Sequence, residues 1–195
     1  NTHYWNDAAT RLASVRYVHV ADPLTELTRF RAGDLDVTYT IPPGELSRLE
    51  RELPGQLRVA PHIGVYYYGF ALDLPPFRDA KALRRALTMA IDRDVLTKQV
   101  LGDGEQPAYS WVPPGVAGYT PQVFDWAGIS QDARNEEARR LYAVAGYSKE
   151  RPLVVELRYN KSPLHDRIAL AVTAMWKEVL GAEVSFRSED FRVLK

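Results

Sequence analysis

Residues 66–79 compress an extended run, a chain reversal and a helix start into fourteen positions. Tyr66, Tyr67 and Tyr68 enter the apolar stretch Gly69-Phe70-Ala71-Leu72. Asp73-Leu74 and the Pro75-Pro76-Phe77 corner follow, and then Asp79, a residue suited to capping a helix. Aromatic residues in series favour a pleated, half-buried strand, and two consecutive prolines cannot continue its hydrogen-bond ladder. Beyond the corner, Leu83, Ala86, Leu87, Ala90 and Ile91 recur at helical spacing. A chain that switches period across one corner packs helices on strands, and the rest of the sequence repeats the switch.

Further strands are expected at residues 15–20, 35–40, 57–60, 153–159 and 182–186, where β-branched and aromatic residues cluster or alternate. Asp22, with Pro23 at the first helical position, opens a helix that turns Leu24, Leu27 and Phe30 inward and stops at Gly33. A short helix over 45–53 follows the Pro42-Pro43-Gly44 break, with Leu46, Leu49 and Leu53 on one face. Asp92 caps a short helix reaching Val100. Ser130 caps another, ended by Ala145-Gly146, with Glu136 and Arg140 spaced as a surface pair. Ser162-Pro163 opens a long helix that ends at Gly181 and turns Ile168, Val172, Met175, Trp176 and Val179 inward. The interval from Gly102 to Gly128 is too aromatic for disorder and reads as an ordered loop over the body. These elements define an α/β (mixed α+β) fold with helices packed on a mixed sheet.

Composition narrows the function. Lys+Arg and Asp+Glu both number 25, so there is no basic excess for holding nucleic acid or an anionic membrane. The absence of Cys excludes disulfides, thiolate metal sites and a Cys nucleophile. No apolar run approaches the ~20 residues of a membrane-spanning helix, and no signal peptide opens the chain. His62 and His165 have no metal-ligand partners on a shared helix face, and Gly102-Asp103-Gly104 lacks the Lys-Ser/Thr of a phosphate loop. Neither a nucleophile–base pair nor a cofactor motif is present, so the expectation is a protein that binds and does not catalyse, with no cofactor and no metal. In the tyrosine triplet, alternation sends Tyr66 and Tyr68 to one face, read as the core side, and Tyr67 to the other, where an aromatic ring with a polar tip suits a ligand wall.

Several short motifs fall in a characteristic order: Tyr4-Trp5, Phe30-Arg31-Ala32-Gly33-Asp34-Leu35-Asp36, the tyrosine triplet, Pro75-Pro76-Phe77 and Ala90-Ile91-Asp92-Arg93. Pro113-Pro114-Gly115, Arg134-Asn135, Glu137-Ala138, Ala145-Gly146-Tyr147, Tyr159-Asn160, His165 and Trp176 continue it. In this order the chain resembles the oligopeptide-binding proteins of bacterial ABC transporters, extracellular solute-binding proteins of family 5. The resemblance implies an incomplete lobe of the type II periplasmic-binding-protein kind. Residues 1–195 would form most of the second, C-terminal lobe of a two-lobed protein that closes on a short peptide and passes it to membrane permease subunits. It implies a periplasmic location, or a cell-surface lipoprotein in a Gram-positive organism, with no nucleic-acid partner and no direct membrane insertion. The ligand-lining positions of the family fall on Thr40, His62, Tyr67, Gly69, Asn160, His165 and Phe191. Gly69 and Ala71 stand where the family often has an acidic residue and an Asn, which implies a larger and less acidic pocket there. The family's carboxylate for the peptide amino group would lie beyond Lys195, and apolar residues near Phe191 and Leu194 are expected to be exposed. The alternative is a structural or protein-interaction domain of the same fold without a free-peptide ligand.

Overall fold

The computed structural model describes residues 3–60 and 62–193, in two compact units, residues 1–42 and 43–195. In the first unit a 3-10 turn, Asp7–Ala9, precedes helix α1, Pro23–Arg31. The Asp22 carboxylate accepts from both the backbone N–H and the hydroxyl of Thr25 at 2.7 Å, satisfying a donor that the first turn leaves unpaired. Gly33, at φ 82°, takes the left-handed conformation that lets the chain leave the helix. Leu27 is buried, but Leu24, expected inward, is exposed. The expected strands at 15–20 and 35–40 do not form: neither segment joins a ladder, the second bends at Asp36 and Tyr39, and Tyr17 is 94% exposed. β-propensity measures how well a side chain fits a pleated, half-buried surface, and it makes a strand only where another segment supplies the hydrogen bonds.

The second unit holds helices α2 (Leu46–Glu52), α3 (Lys81–Met89), α4 (Arg93–Val95, continuing as a π-helical turn Leu96–Leu101), α5 (Gln131–Val144) and α6 (Pro163–Leu180). Strands β1 (Val154–Asn160) and β2 (Glu183–Glu189) pair in parallel, with Val154 opposite Glu183 and Asn160 opposite Glu189. α6 is the crossover between them. The class is therefore α/β, and the sheet among the described residues is this parallel pair. Residues 57–60 and 66–72, expected as strands, join no ladder, for the same reason as in the first unit, and Leu72 already lies in a turn.

The core lies between α3, α5, α6 and the start of β1. Leu83, Ala86, Leu87, Ala138, Tyr142, Leu153, Val172, Trp176 and Leu180 are buried together. Two of its polar groups are satisfied by side-chain hydrogen bonds between elements. The Trp176 indole N–H donates to the Leu87 carbonyl at 2.8 Å, and the Leu153 N–H donates to the Tyr142 hydroxyl at 2.7 Å. Glycine closes α6: Gly181 lies at φ 72°, and a Cβ there would meet Lys149 Cγ at 3.1 Å.

Two local expectations differ from the structure, and one cap comes from a residue that the sequence did not mark. Asp79 does not cap α3; it sits at φ 55°, and α3 begins at Lys81 with no side-chain cap. Instead, Arg84 donates to the Phe77 carbonyl, tying the helix to the corner, where the Pro75–Pro76 bond is cis. The α2 start is capped from afar, with Gly44 and Leu46 N–H groups donating to Asp103 at 2.6 and 3.2 Å. Arg140 pairs with Glu137 rather than Glu136, because a bidentate contact at 2.6 and 2.7 Å is available one residue nearer.

Candidate functional site

The triplet keeps strand-like alternation although it belongs to no ladder. Tyr66 and Tyr68 share a face, with rings 5.5 Å apart and nearly perpendicular, and the Tyr66 hydroxyl donates to that of Tyr68 at 3.4 Å. Burial raises the pKa of both phenols, so both remain neutral donors through the physiological range. Tyr68 packs on the core cluster as expected, whereas Tyr66 is half-exposed and lies 5.1 Å from the His165 ring. Tyr67 takes the opposite side. It is 60% exposed, and its ring lies 4.5 Å from that of Trp111.

His165 sits in the first turn of α6. Its Nδ1 is 2.9 Å from the Asn160 carbonyl at the end of β1, a bond that orients the ring toward Tyr66. On β1, the Tyr159 phenol is raised by burial and by its hydrogen bond to Asp166. Asn160 is paired with Glu189, and Phe191 follows two residues later, exposed. Asn160, His165 and Phe191 thus gather at the carboxyl end of the parallel strands, and Tyr66 carries the extended segment holding Tyr67 and Gly69 to the same end. Crevices at the carboxyl ends of parallel strands are where open α/β sheets bind ligands. The ideal Cβ of Gly69 meets nothing within 4 Å, so the space beside it is open. His62 is exposed in this unit. Thr40 belongs to the first unit, where its hydroxyl donates to Glu26 at 3.4 Å. Leu194 lies outside the described residues.

Residues 102–128 pack on the body through Tyr109 and Trp126, and two arginines anchor those rings. The guanidinium of Arg93 lies 5.1 Å from the Tyr109 ring and 5.2 Å from the Trp126 ring, and that of Arg134 lies 5.1 and 6.0 Å from the same two rings. Arg93 donates to the carbonyls of Thr88, Ile91 and Ala108. Arg134, 5% exposed, donates to the Tyr109 hydroxyl and leaves its Nε without a partner. Burial lowers the Arg93 pKa, and the neighbouring Arg134 charge lowers it further. Sequence reasoning read this interval as an aromatic loop over the body but did not connect its Trp111 with Tyr67. Nothing in the local sequence carries that pairing, which joins positions 44 residues apart.

Among the described residues no group of three or more His, Cys, Asp or Glu side chains converges, and no helix is long and apolar enough to cross a membrane. What the arrangement offers is a set of aromatic, amide and imidazole groups beside the open position at Gly69, which is recognition chemistry.

The model of the bacterial extracellular solute-binding proteins, family 5 Middle, matches residues 1–195. Periplasmic murein peptide-binding protein MppA of Escherichia coli is 38% identical over 192 residues, covering 98% of this chain and 36% of that protein. Periplasmic oligopeptide-binding protein OppA of Salmonella typhimurium is 38% identical over 193 residues, covering 98% of this chain and 35% of that protein. The structure of Haemophilus influenzae OppA in complex with RPPGFSPFR superposes with a TM-score of 0.84 at 34% identity, over 97% of this chain and 38% of that one. That of E. coli MppA superposes with a TM-score of 0.81 at 38% identity, over 87% of this chain and 33% of that one. The fold is that of a solute-binding protein. The chain belongs to family 5 of the bacterial extracellular solute-binding proteins, and it spans roughly a third of the length of the curated relatives it matches.

Proposed function

We propose that this chain is the ligand-recognition segment of the periplasmic binding component of an ABC transporter for short peptides. In this reading residues 1–195 supply most of one lobe. The ligand closes between that lobe and another, and the loaded protein delivers it to membrane permease subunits without catalysis. The observation that carries the reading is the gathering of Asn160, His165, Phe191 and the tyrosine segment at the carboxyl end of β1 and β2, in a chain of this family. An extended peptide offers main-chain donors and acceptors to such a surface whatever its side chains, which gives affinity with broad sequence tolerance. Open space beside Gly69 admits side chains of varied size, with water filling the remainder.

Thermal unfolding of the full-length protein tests the ligand class, because a ligand present at about a hundred times its Kd stabilises by ~2.7 kcal/mol. A mixed tripeptide pool should raise the unfolding midpoint. One relative is described as a probable deoxycholate-binding periplasmic protein, so deoxycholate is the comparison ligand. A shift with deoxycholate and none with tripeptides overturns the peptide reading. No shift with either favours the interaction-domain alternative. Incubated tripeptides should be recovered intact; hydrolysis abolished by His165→Ala would overturn the non-catalytic reading.

A further inference from the structure

We propose that Trp111 is a specificity-determining residue of this binding site, forming with Tyr67 one aromatic wall that takes an apolar or aromatic side chain of the bound peptide. The inference rests on the peptide-binding reading above. Both rings are more than half exposed, at 60% for Tyr67 and 67% for Trp111, although they are in contact at 4.5 Å and inclined by 56°. Neither the Tyr67 hydroxyl nor the Trp111 indole N–H has a hydrogen-bond partner among the described residues. The wall therefore offers apolar area together with two free polar tips, the combination that suits a peptide, whose side chain can lie on the rings while its carbonyls accept from the tips.

The loop around Trp111 is built to hold it outward. The Ser110 hydroxyl donates to the Val112 carbonyl at 2.6 Å across the tryptophan, and Pro113-Pro114 stiffen the following step. Phe124 N–H donates to the Tyr109 carbonyl at 3.0 Å, joining the two limbs of the loop. Below them, Arg93 and Arg134 hold Tyr109 and Trp126 to the body. An exposed indole on a fixed backbone loses little conformational freedom when a ligand covers it, so its contact area converts well into affinity.

The test is calorimetric titration of the full-length protein with tri-alanine and with the three tripeptides in which one alanine is replaced by phenylalanine. Trp111→Ala should weaken at least one phenylalanine peptide about tenfold more than it weakens tri-alanine, because loss of the indole N–H acts on all four peptides while loss of the ring acts only on the phenylalanine side chain. Trp111→Phe should keep most of the preference. A uniform loss across all four peptides, or no loss for any, overturns the proposal while leaving the peptide-binding reading intact. Failure of the wild-type protein to bind any of the four overturns both. Should Trp111→Ala not fold, Trp111→Gln carries the same comparison.

Discussion

Tyr67 and Tyr68 are neighbours in opposite environments, one exposed and one packed on the core, and single substitutions separate them. Tyr68 packs on the core cluster, so Tyr68→Ala should lower stability by somewhat less than the ~3–5 kcal/mol of a fully buried aromatic, measured by urea unfolding. Tyr67→Ala, at an exposed position, should leave the unfolding midpoint nearly unchanged and weaken ligand binding. The reverse pattern would mean that the two faces of the segment are exchanged. Trp176 makes a second case, because its indole is the donor for a buried helical carbonyl. Trp176→Phe should cost ~1–3 kcal/mol beyond the change in packing, since the Leu87 carbonyl would lose its indole donor in the core. A urea midpoint equal to wild type would contradict the assignment. Residue-level legibility was uneven. Alternation alone predicted the sides of Tyr67 and Tyr68. It could not show that Tyr66, on the same side as Tyr68, lies against His165 rather than in the core, because that contact spans 99 positions.

Helices were more legible than strands because a helix completes its hydrogen bonds within itself. Caps and stops of α1, α4, α5 and α6 could be read directly from Asp22, Asp92, Ser130 and the closing glycines. Asp92→Ala should cost about 1 kcal/mol, because its carboxylate receives Val95 N–H at 2.9 Å; a urea midpoint unchanged from wild type would contradict the cap. Gly181→Ala should be destabilising as well, since a side chain at φ 72° is strained and Lys149 occupies the space. An unaltered midpoint would argue against that strain. What the sequence did not show shares one cause. Asp103 capping α2 is a contact across more than fifty positions, and the segments at 15–20, 35–40, 57–60 and 66–72 have strand-forming composition without a pairing segment among the described residues. Composition reports what a backbone prefers, while pairing depends on what else is beside it. Of the candidate site, the cluster of Asn160 and His165 at the end of β1 followed from the family resemblance. The Trp111–Tyr67 pair, set by the fold, did not.

Charge across the chain is balanced, but several carboxylates are held below their ordinary pKa by hydrogen bonds: Asp22 by Thr25, Asp125 by Arg85, Glu137 by Arg140 and Glu150 by Ser148. A lowered folded pKa means that the unfolded chain takes up protons first. The stabilisation is therefore fully present above the usual carboxylate value of about 4 and is lost as pH falls through the folded values. Urea midpoints should decline from pH 5 toward pH 2, and Asp125→Asn should make that decline shallower. An equally steep decline in the variant would remove Asp125 from the account. At neutral pH the same balance leaves the chain with no net charge. The central claim is that this chain carries the peptide-recognition surface of a family 5 solute-binding protein, with Tyr67 on its ligand side. The most direct test is calorimetric titration of a mixed tripeptide pool into the full-length wild-type protein and into its Tyr67→Ala variant. The account predicts saturable binding by the wild type and at least about tenfold weaker binding by a variant that unfolds at the same midpoint. Equal affinity in the two proteins, or no binding by the wild type, would contradict it.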